Sequence, residues 1–441
     1  MLENTIDRLI NNVMNHTDLS ETTQLKAESV IIDTLIAVLY GLHTEKEVQN
    51  LIEEKHSSEG VALPGTGKKF NNREALIALG TAAVANELDE GNTFAKGHPS
   101  AHIFPAVYVT ALENDYTMNQ ITDAYIKGYE IAVRLSAAFQ MKDNMHPHGT
   151  WGNAGGAAAR AILLGNNTEE VIQIVKLALS LPLATNWLAA EKGQTVRNLY
   201  TGYGNLLAYD AVDLAGYGFK SNDTVVSDLW NNIMGHSISE DKMLNKIMNP
   251  PMIEQNYFKV YPTCRFTHAS IEAADQVLKD NDILYEDINR VEIHTYNLAA
   301  RCDTKNINTR LESKFSIPYA VSCVIMGLNM YDDYEENLNE IDDFINKIDV
   351  INAPEITDML PEKRAAKCII INEDKQEFVS QTDNAQGEYS NKFTNNQMTE
   401  KYMNMLQSYK EFDEKWLLSL KKIDREITFK SWLKNNRLLR S

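Results

Sequence analysis

The stretch GGAAARAILLG, Gly155 to Gly165, decides the fold. Its run of small side chains lets helix backbones approach one another closely, which points to a helix buried among helices rather than to a strand. Outward from it the same texture recurs. Ile31, Leu35, Val38 and Leu39 repeat at spacings of three and four, one apolar helix face. Asn71 with Glu74 resembles a capping box opening a helix that runs to about Glu90, just before Gly91. Helices repeated without alternating strands predict an all-α domain over residues 1–255.

Near Tyr257 the texture changes. VEIHTY, Val291 to Tyr296, alternates apolar and polar residues as a half-buried strand does. AKCIIINEDKQEFV, Ala366 to Val379, reads as two strands joined by an Asn372–Lys375 turn, and a helix is expected near Pro318 to Gly327. The acidic stretch Tyr331 to Asp343 reads as a solvated helix–loop surface. Helical texture returns after Lys392, through Tyr402 and Leu406. The expected fold is mainly α. A large helical domain is built from both chain ends, 1–255 and 393–441, with a smaller α+β domain over 256–392. No repeat of solenoid length appears.

Composition narrows the function classes. With 42 basic and 61 acidic residues, the formal charge of −19 disfavours nucleic acid and anionic membrane surfaces as partners. Residues 1–15 place acidic groups early and show no basic segment leading into an apolar core, so no signal peptide is expected. Val171 to Ala190 is the most apolar long stretch. It contains Gln173, Lys176, Pro182 and Asn186, and reads as a buried helix rather than a membrane span. Cys264, Cys302, Cys323 and Cys368 form no CxxC pair and have no zinc-finger spacing to histidine. A cytoplasmic protein without disulfides or a structural metal is expected.

Five segments carry side chains suited to chemistry. LDEGNTFAKGHPSAHIFPA, Leu88 to Ala106, places Asp89, Thr93, Lys96, His98 and His102 close together, with Glu87 and Glu90 beside them. A carboxylate, a hydroxyl and an imidazole so near can form an acid–base relay, the carboxylate orienting the ring. The same residues also suit a polar helix-to-helix loop in which His98 caps the next helix. MHPHGTWGNAGGAAA, Met145 to Ala159, places His146 and His148 around Pro147 before a helix opening near Thr150. That helix start suits an anionic group. The alternative is a turn whose histidine is satisfied by backbone. No ligand spacing follows that would favour a metal.

In TVRNLYTGYGNLLA, Thr195 to Ala208, Arg197 offers a planar fork for a carboxylate or phosphate, or an ordinary salt bridge. FKVYPTCRFTHASIEAA, Phe258 to Ala274, gathers Lys259, Arg265 and His268 at the texture boundary. These cations suit a multiply charged anion or, more plainly, a linker and a helix start. In KFSIPYAVS, Lys314 to Ser322, Tyr319 either donates a proton or packs. PGTGKK, Pro64 to Lys69, is a turn and no phosphate-binding loop, since Ala62 and Lys69 stand where glycine and Ser or Thr are required.

The order of these motifs resembles the MmgE/PrpD family, which includes 2-methylcitrate dehydratase, cis-aconitate decarboxylase and iminodisuccinate epimerase. The resemblance runs over nearly the whole chain. It rests on Asp89-x-x-x-Thr93 with the following His-Pro-Ser, on His146-Pro147 before the glycine-rich helix, and on Gly202-x-Gly204. Lys259-x-Tyr261-Pro262-x-Cys264 and Phe315-Ser316-x-x-Tyr319 complete the series. It implies a helical domain, a smaller α+β lid, an active-site cleft between them, a homodimer, and no metal or organic cofactor. It also implies catalytic roles for Asp89, Thr93, His98, His146 and Tyr319, with His148 the alternative to His146. Arg197, which stands where the decarboxylase has lysine, and Lys259 would hold carboxylates, with Arg265 and His268 nearby. The implied function is a lyase acting on a small di- or tricarboxylate. An epimerase of a dicarboxylate is the runner-up, and a non-catalytic carboxylate-binding protein a third reading.

Overall fold

The computed structural model describes residues 4–341, 343–409 and 411–439. The fold is mainly α with a small α+β region. Two compact units divide the chain. The first comprises the residues up to Trp187, then Val196–Tyr257 and Met398 onward; the second comprises Leu188–Thr195 and Phe258–Gln397.

In the first unit the main helices are α1 (Glu21–Thr44), α2 (Asn72–Ala85), α3 (Pro99–Glu113), α4 (Met118–Ala138), α5 (Gly152–Leu163), α6 (Thr168–Leu179) and α7 (Val196–Gly216). Helix α5, the glycine- and alanine-rich stretch, packs against α3, α4, α6 and α7. A Cβ at Gly155 would lie 2.6 Å from the Ala132 methyl and 2.8 Å from the Gly128 carbonyl oxygen, so only glycine lets α4 and α5 approach this closely. Asn71 caps α2 by accepting the Glu74 amide at 3.0 Å, as the sequence predicts. The helix ends at Ala85, however, and not near Glu90. Glu87 adopts a left-handed φ of 54° and is fully buried, which terminates the helix and leaves Glu87, Asp89 and Glu90 on an ordered loop. Helix α6 likewise stops at Leu179, so only the first part of the apolar stretch 171–190 is helical as expected.

Both chain ends build this unit. In α10 (Asn395–Leu406), Lys401 Nζ lies 2.5 Å from Asp33 Oδ1 of α1, with both side chains buried. Tyr409 donates to the Leu39 carbonyl oxygen at 2.8 Å. A short antiparallel pair, β1 (Gly91–Asn92) with β2 (Asn256–Tyr257), ties the loop after α2 to the last residues before the second unit.

The second unit has a four-stranded sheet in the order β6-β5-β3-β4, formed by β3 (Ile288–Thr295), β4 (Ile348–Asn352), β5 (Ala366–Asn372) and β6 (Glu377–Thr382). Strand β3 pairs parallel with β4 and antiparallel with β5. The expected turn joins β5 to β6, with Lys375 at φ 61° and its amide donating to the Asn372 carbonyl at 3.0 Å. Val291, Ile293, Cys368 and Ile370 share a core with Ala273 and Val277 of α8 (Arg265–Asp280) and with Val321 of α9 (Ile317–Ile325). Leu188–Thr195, which the sequence reading leaves in the helical domain, joins this unit through a Glu191–Arg301 ion pair and a Thr309 hydroxyl bond to the Gly193 carbonyl at 3.3 Å. Among the described residues, no helix is long and apolar enough to cross a membrane. The four cysteines are buried.

Candidate active site

The loop from Glu87 to His98 and the segment from His146 to Gly152 meet in the first unit. His98 occupies the N-cap position of α3, yet its side chain does not cap the helix. That task falls to Glu90, whose Oε1 accepts the Ser100 amide at 2.7 Å. The His98 ring is thereby released for another contact. Its Nδ1 lies 2.8 Å from the Glu90 carbonyl oxygen and 3.0 Å from Asp89 Oδ2. Both neighbours are acceptors, so Nδ1 carries the proton and Nε2 is the nitrogen left for other partners. His98 keeps 12% side-chain exposure, while Asp89 is buried at 1%. Of the two readings open in the sequence, the geometry favours the acid–base arrangement over the capping one. Thr93 stands on the turn after β1, its carbonyl accepting the Lys96 amide at 3.2 Å.

Three further histidines surround His98. Ring centroids lie 5.3 Å apart for His98 and His148, 4.6 Å for His146 and His148, and 5.4 Å for His102 and His148. His102 Nε2 is 3.2 Å from His148 Nδ1. The rings of His102, His146 and His148 are held neutral. Burial, then the nearby charges of His98 and Arg197, brings His102 down to about 3. Burial first and Arg197 second hold His146 and His148 well below the ordinary histidine range.

Of the two readings open for Arg197, the structure shows the ion pair. Its buried guanidinium pairs with the Glu87 carboxylate and donates to the Val84 carbonyl and the Asn198 side chain, each at 3.1 Å. Its Nε points at His146 Nε2, 3.4 Å away. A buried guanidinium needs a carboxylate within the fold, and Glu87 supplies it while Nε faces His146.

The residues expected from the second unit divide. Arg265 donates to Glu388 at 3.1 and 3.0 Å, to the Ala385 carbonyl at 2.9 Å and to the Gln386 carbonyl at 3.0 Å, pinning that segment. His268 is engaged at both nitrogens, by Arg265 at 3.0 Å and the Thr263 carbonyl at 3.2 Å. Tyr319 packs with Ile307, Cys323, Ile341 and Ile345, and its hydroxyl accepts Asn337 at 3.3 Å. Burial raises that phenol above its ordinary range. The polar atoms of these three side chains are engaged within their own unit. Lys259 is fully buried on the connection two residues after Tyr257.

Asp89, His98 and His148 each present one ligand-type atom, all within 4.8 Å of one another. The set has the right donor types for a divalent metal. Two features oppose it. The Arg197 charge that depresses the histidines repels a cation equally, and His98 Nδ1 is turned to the Glu90 carbonyl. The arrangement suits proton transfer better than coordination.

A family model of the MmgE/PrpD N-terminal domain matches residues 10–242, and one of the MmgE/PrpD C-terminal domain matches residues 261–420. The chain belongs to the MmgE/PrpD family. Members of that family are generally enzymes. Comparison with curated proteins gives no match. Of the site just described, Asp89, His98, His146 and His148 all fall inside the MmgE/PrpD N-terminal match, while Tyr257 lies in the interval between the two matches.

Glu87, Glu90, His102 and Tyr257 are the site neighbours to which the sequence assigned no role. Glu90 and His102 stand in the quoted segment and Glu87 just before it, but all three reveal their partners only in three dimensions. Tyr257 lies edge-on to His98 at 6.3 Å between centroids, with no sequence signal beyond the texture boundary. Glu90 is fully buried and bonded to the Ser100 amide, to the Tyr129 hydroxyl at 3.0 Å and to Asn256 at 3.4 Å. Burial dominates and pushes its carboxyl from 4.5 up to about 8. The folded protein thus holds a proton that the unfolded chain releases. The resulting penalty is absent below about 4.5, grows with pH and is complete above about 8. Since a tenfold change in proton affinity is worth ~1.4 kcal/mol, Glu90→Gln is expected to flatten the fall in urea midpoint between mildly acidic and alkaline pH. An unchanged pH dependence in the variant would show that Glu90 is ionised in the fold.

Proposed function

We propose that this MmgE/PrpD protein is a cofactor-independent lyase that removes water or carbon dioxide from a small di- or tricarboxylic acid. The observation that carries the reading is the Asp89–His98 pair beside neutral buried histidines. Environments that push neighbouring titratable groups apart separate an acid from a base. The Asp89 carboxylate, 3.0 Å from Nδ1, compensates charge on a His98 imidazolium, whereas the histidines beside it are kept uncharged. In a dehydration, a neutral histidine takes the proton from the carbon next to a carboxylate. The C–H electron pair forms the C=C bond as the C–O bond breaks, and the leaving hydroxide takes the Nε2 proton of His98 to become water. Lys259, which the resemblance matches to the family's lysine, holds a substrate carboxylate in this reading. Lys259→Met is then expected to raise KM about tenfold or more with a smaller effect on kcat, measured by steady-state kinetics. A fall in kcat at constant KM would remove Lys259 from substrate binding.

The second reading is an epimerase of a dicarboxylate. It is favoured by the presence of two neighbouring imidazoles, His98 and His148, with ring centroids 5.3 Å apart, since an epimerase needs two acid–base groups. A thermal-shift screen of di- and tricarboxylates followed by proton NMR of the hits in D2O separates the two. Loss of water or carbon dioxide supports the lyase. Deuterium entering recovered substrate without either loss supports the epimerase, and no turnover of any hit counts against both. A homodimer in the cytoplasm accords with the same family membership.

A further inference from the structure

His146 and His148 are two residues apart, yet their rings are held in opposite ways. His146 faces donors on both sides: Arg197 Nε approaches its Nε2 at 3.4 Å, and the His148 backbone amide approaches its Nδ1 at 3.2 Å. A neutral ring has one lone pair and can accept from only one of these donors, and a second proton would remove that acceptor as well. His148 has no such block. Its Nδ1 meets His102 Nε2 at 3.2 Å, and its Nε2 is buried without a hydrogen-bond partner. A buried, unengaged ring nitrogen costs ~1–3 kcal/mol relative to a satisfied one, so a ring kept only for packing gains nothing from it.

Contact between two neutral imidazoles requires an N–H on one and a lone pair on the other. Two arrangements satisfy this contact, and each leaves one ring N–H buried without a partner, on His102 Nδ1 or on His148 Nε2. With the proton on His148 Nδ1, His102 Nε2 accepts it and His102 carries its own proton on Nδ1. His148, which lies with Asp89 and His98 in one cluster, then carries the lone pair on Nε2. A substrate proton taken up at Nε2 then yields an imidazolium whose Nδ1–H is already bonded. We infer that His148 is the base of the proposed reaction and that His102 is the residue that positions it, fixing the Nδ1–H tautomer and stabilising the protonated ring. This assignment rests on the lyase reading above. In proton terms, His148 Nε2 gains the carbon-bound proton, His98 gives its Nε2 proton to the leaving group, and His102 stays neutral throughout.

The placement of His102 is built into the helix packing. A Cβ at Gly152 would stand 2.5 Å from His102 Cγ, and one at Gly156 would stand 2.4 Å from the His102 carbonyl oxygen. Two glycines on the first turns of α5 therefore open the space in which the His102 ring lies against His148. Trp151 closes the other side at 6.1 Å between centroids.

Two measurements on the full-length protein test the inference. The first needs no substrate: ring-15N NMR of histidine-labelled protein, assigned with His148→Phe. His148 is expected as a single Nδ1–H tautomer in the wild type and as a mixture or the Nε2–H tautomer in His102→Phe. An Nε2–H tautomer in the wild type, or no change in His102→Phe, overturns the inference whatever the substrate proves to be. The second uses a carboxylate turned over by the wild type. His102→Phe is expected to lower kcat by about 10–100-fold with KM nearly constant, the size usual for a partner that orients a reacting group. His102→Gln, whose amide can accept at the Nε2 position, is expected to recover most of the loss. Equal losses in a folded Gln variant and the Phe variant, or none in either, refute the positioning role. If the wild type turns over no di- or tricarboxylate, the lyase reading fails, and the tautomer measurement still judges the His102–His148 pair.

Discussion

Replacing His98 by Asn is expected to lower turnover of the wild-type carboxylate substrate by about 10²–10⁴-fold, with a modest change in KM. Asn is chosen because its amide nitrogen falls where Nδ1 stands. The bond to the Glu90 carbonyl is kept while Nε2 is lost. The loop should therefore stay folded, since Glu90 and not His98 caps α3. Asp89→Asn is expected to lose at least about tenfold, because it leaves the ring in place but removes the charge that compensates the imidazolium. Steady-state kinetics on folded variants checks both. Wild-type turnover in His98→Asn would remove His98 from the chemistry and, with it, the lyase mechanism.

The largest effect on stability is expected from Lys401→Met. Its ammonium lies 2.5 Å from Asp33 Oδ1 and donates to the Leu88 carbonyl at 3.1 Å, with lysine and aspartate both buried. Removing it leaves a carboxylate uncompensated in the core, a loss of about 3–5 kcal/mol. The thermal and urea midpoints should both fall. Asp33→Leu combined with Lys401→Met should recover most of the loss, because two apolar side chains leave no buried charge. Turnover should fall as well, since Leu88 precedes Asp89 and Lys401 holds its carbonyl. A Lys401→Met variant as stable as wild type would show that the chain end does not brace the first unit.

Much of the fold is legible in the sequence because it depends on local periodicity. The close approach at Gly155, the cap at Asn71, the alternation in Val291–Tyr296 and the turn before Lys375 all stand where the residues place them. Helix ends are less legible. The stop at Ala85 follows from the burial of Glu87 against Arg197, which is 110 positions away in the chain. The segment 188–195 joins the second unit through partners at Arg301 and Thr309 that no local pattern announces.

At the site, the sequence by itself determined which chemical groups are available and which family the chain resembles: carboxylates and imidazoles at Asp89, His98, His146 and His148, with cations at Arg197, Lys259 and Arg265. Tertiary structure alone decided how those groups are spent. It commits Arg197 to Glu87, Arg265 to Glu388 and Tyr319 to a core, and it leaves His98 and His148 facing each other. The reason is electrostatic. A charge taken out of water must find its counter-charge inside the fold, and that partner is set by packing between distant segments rather than by spacing along the chain.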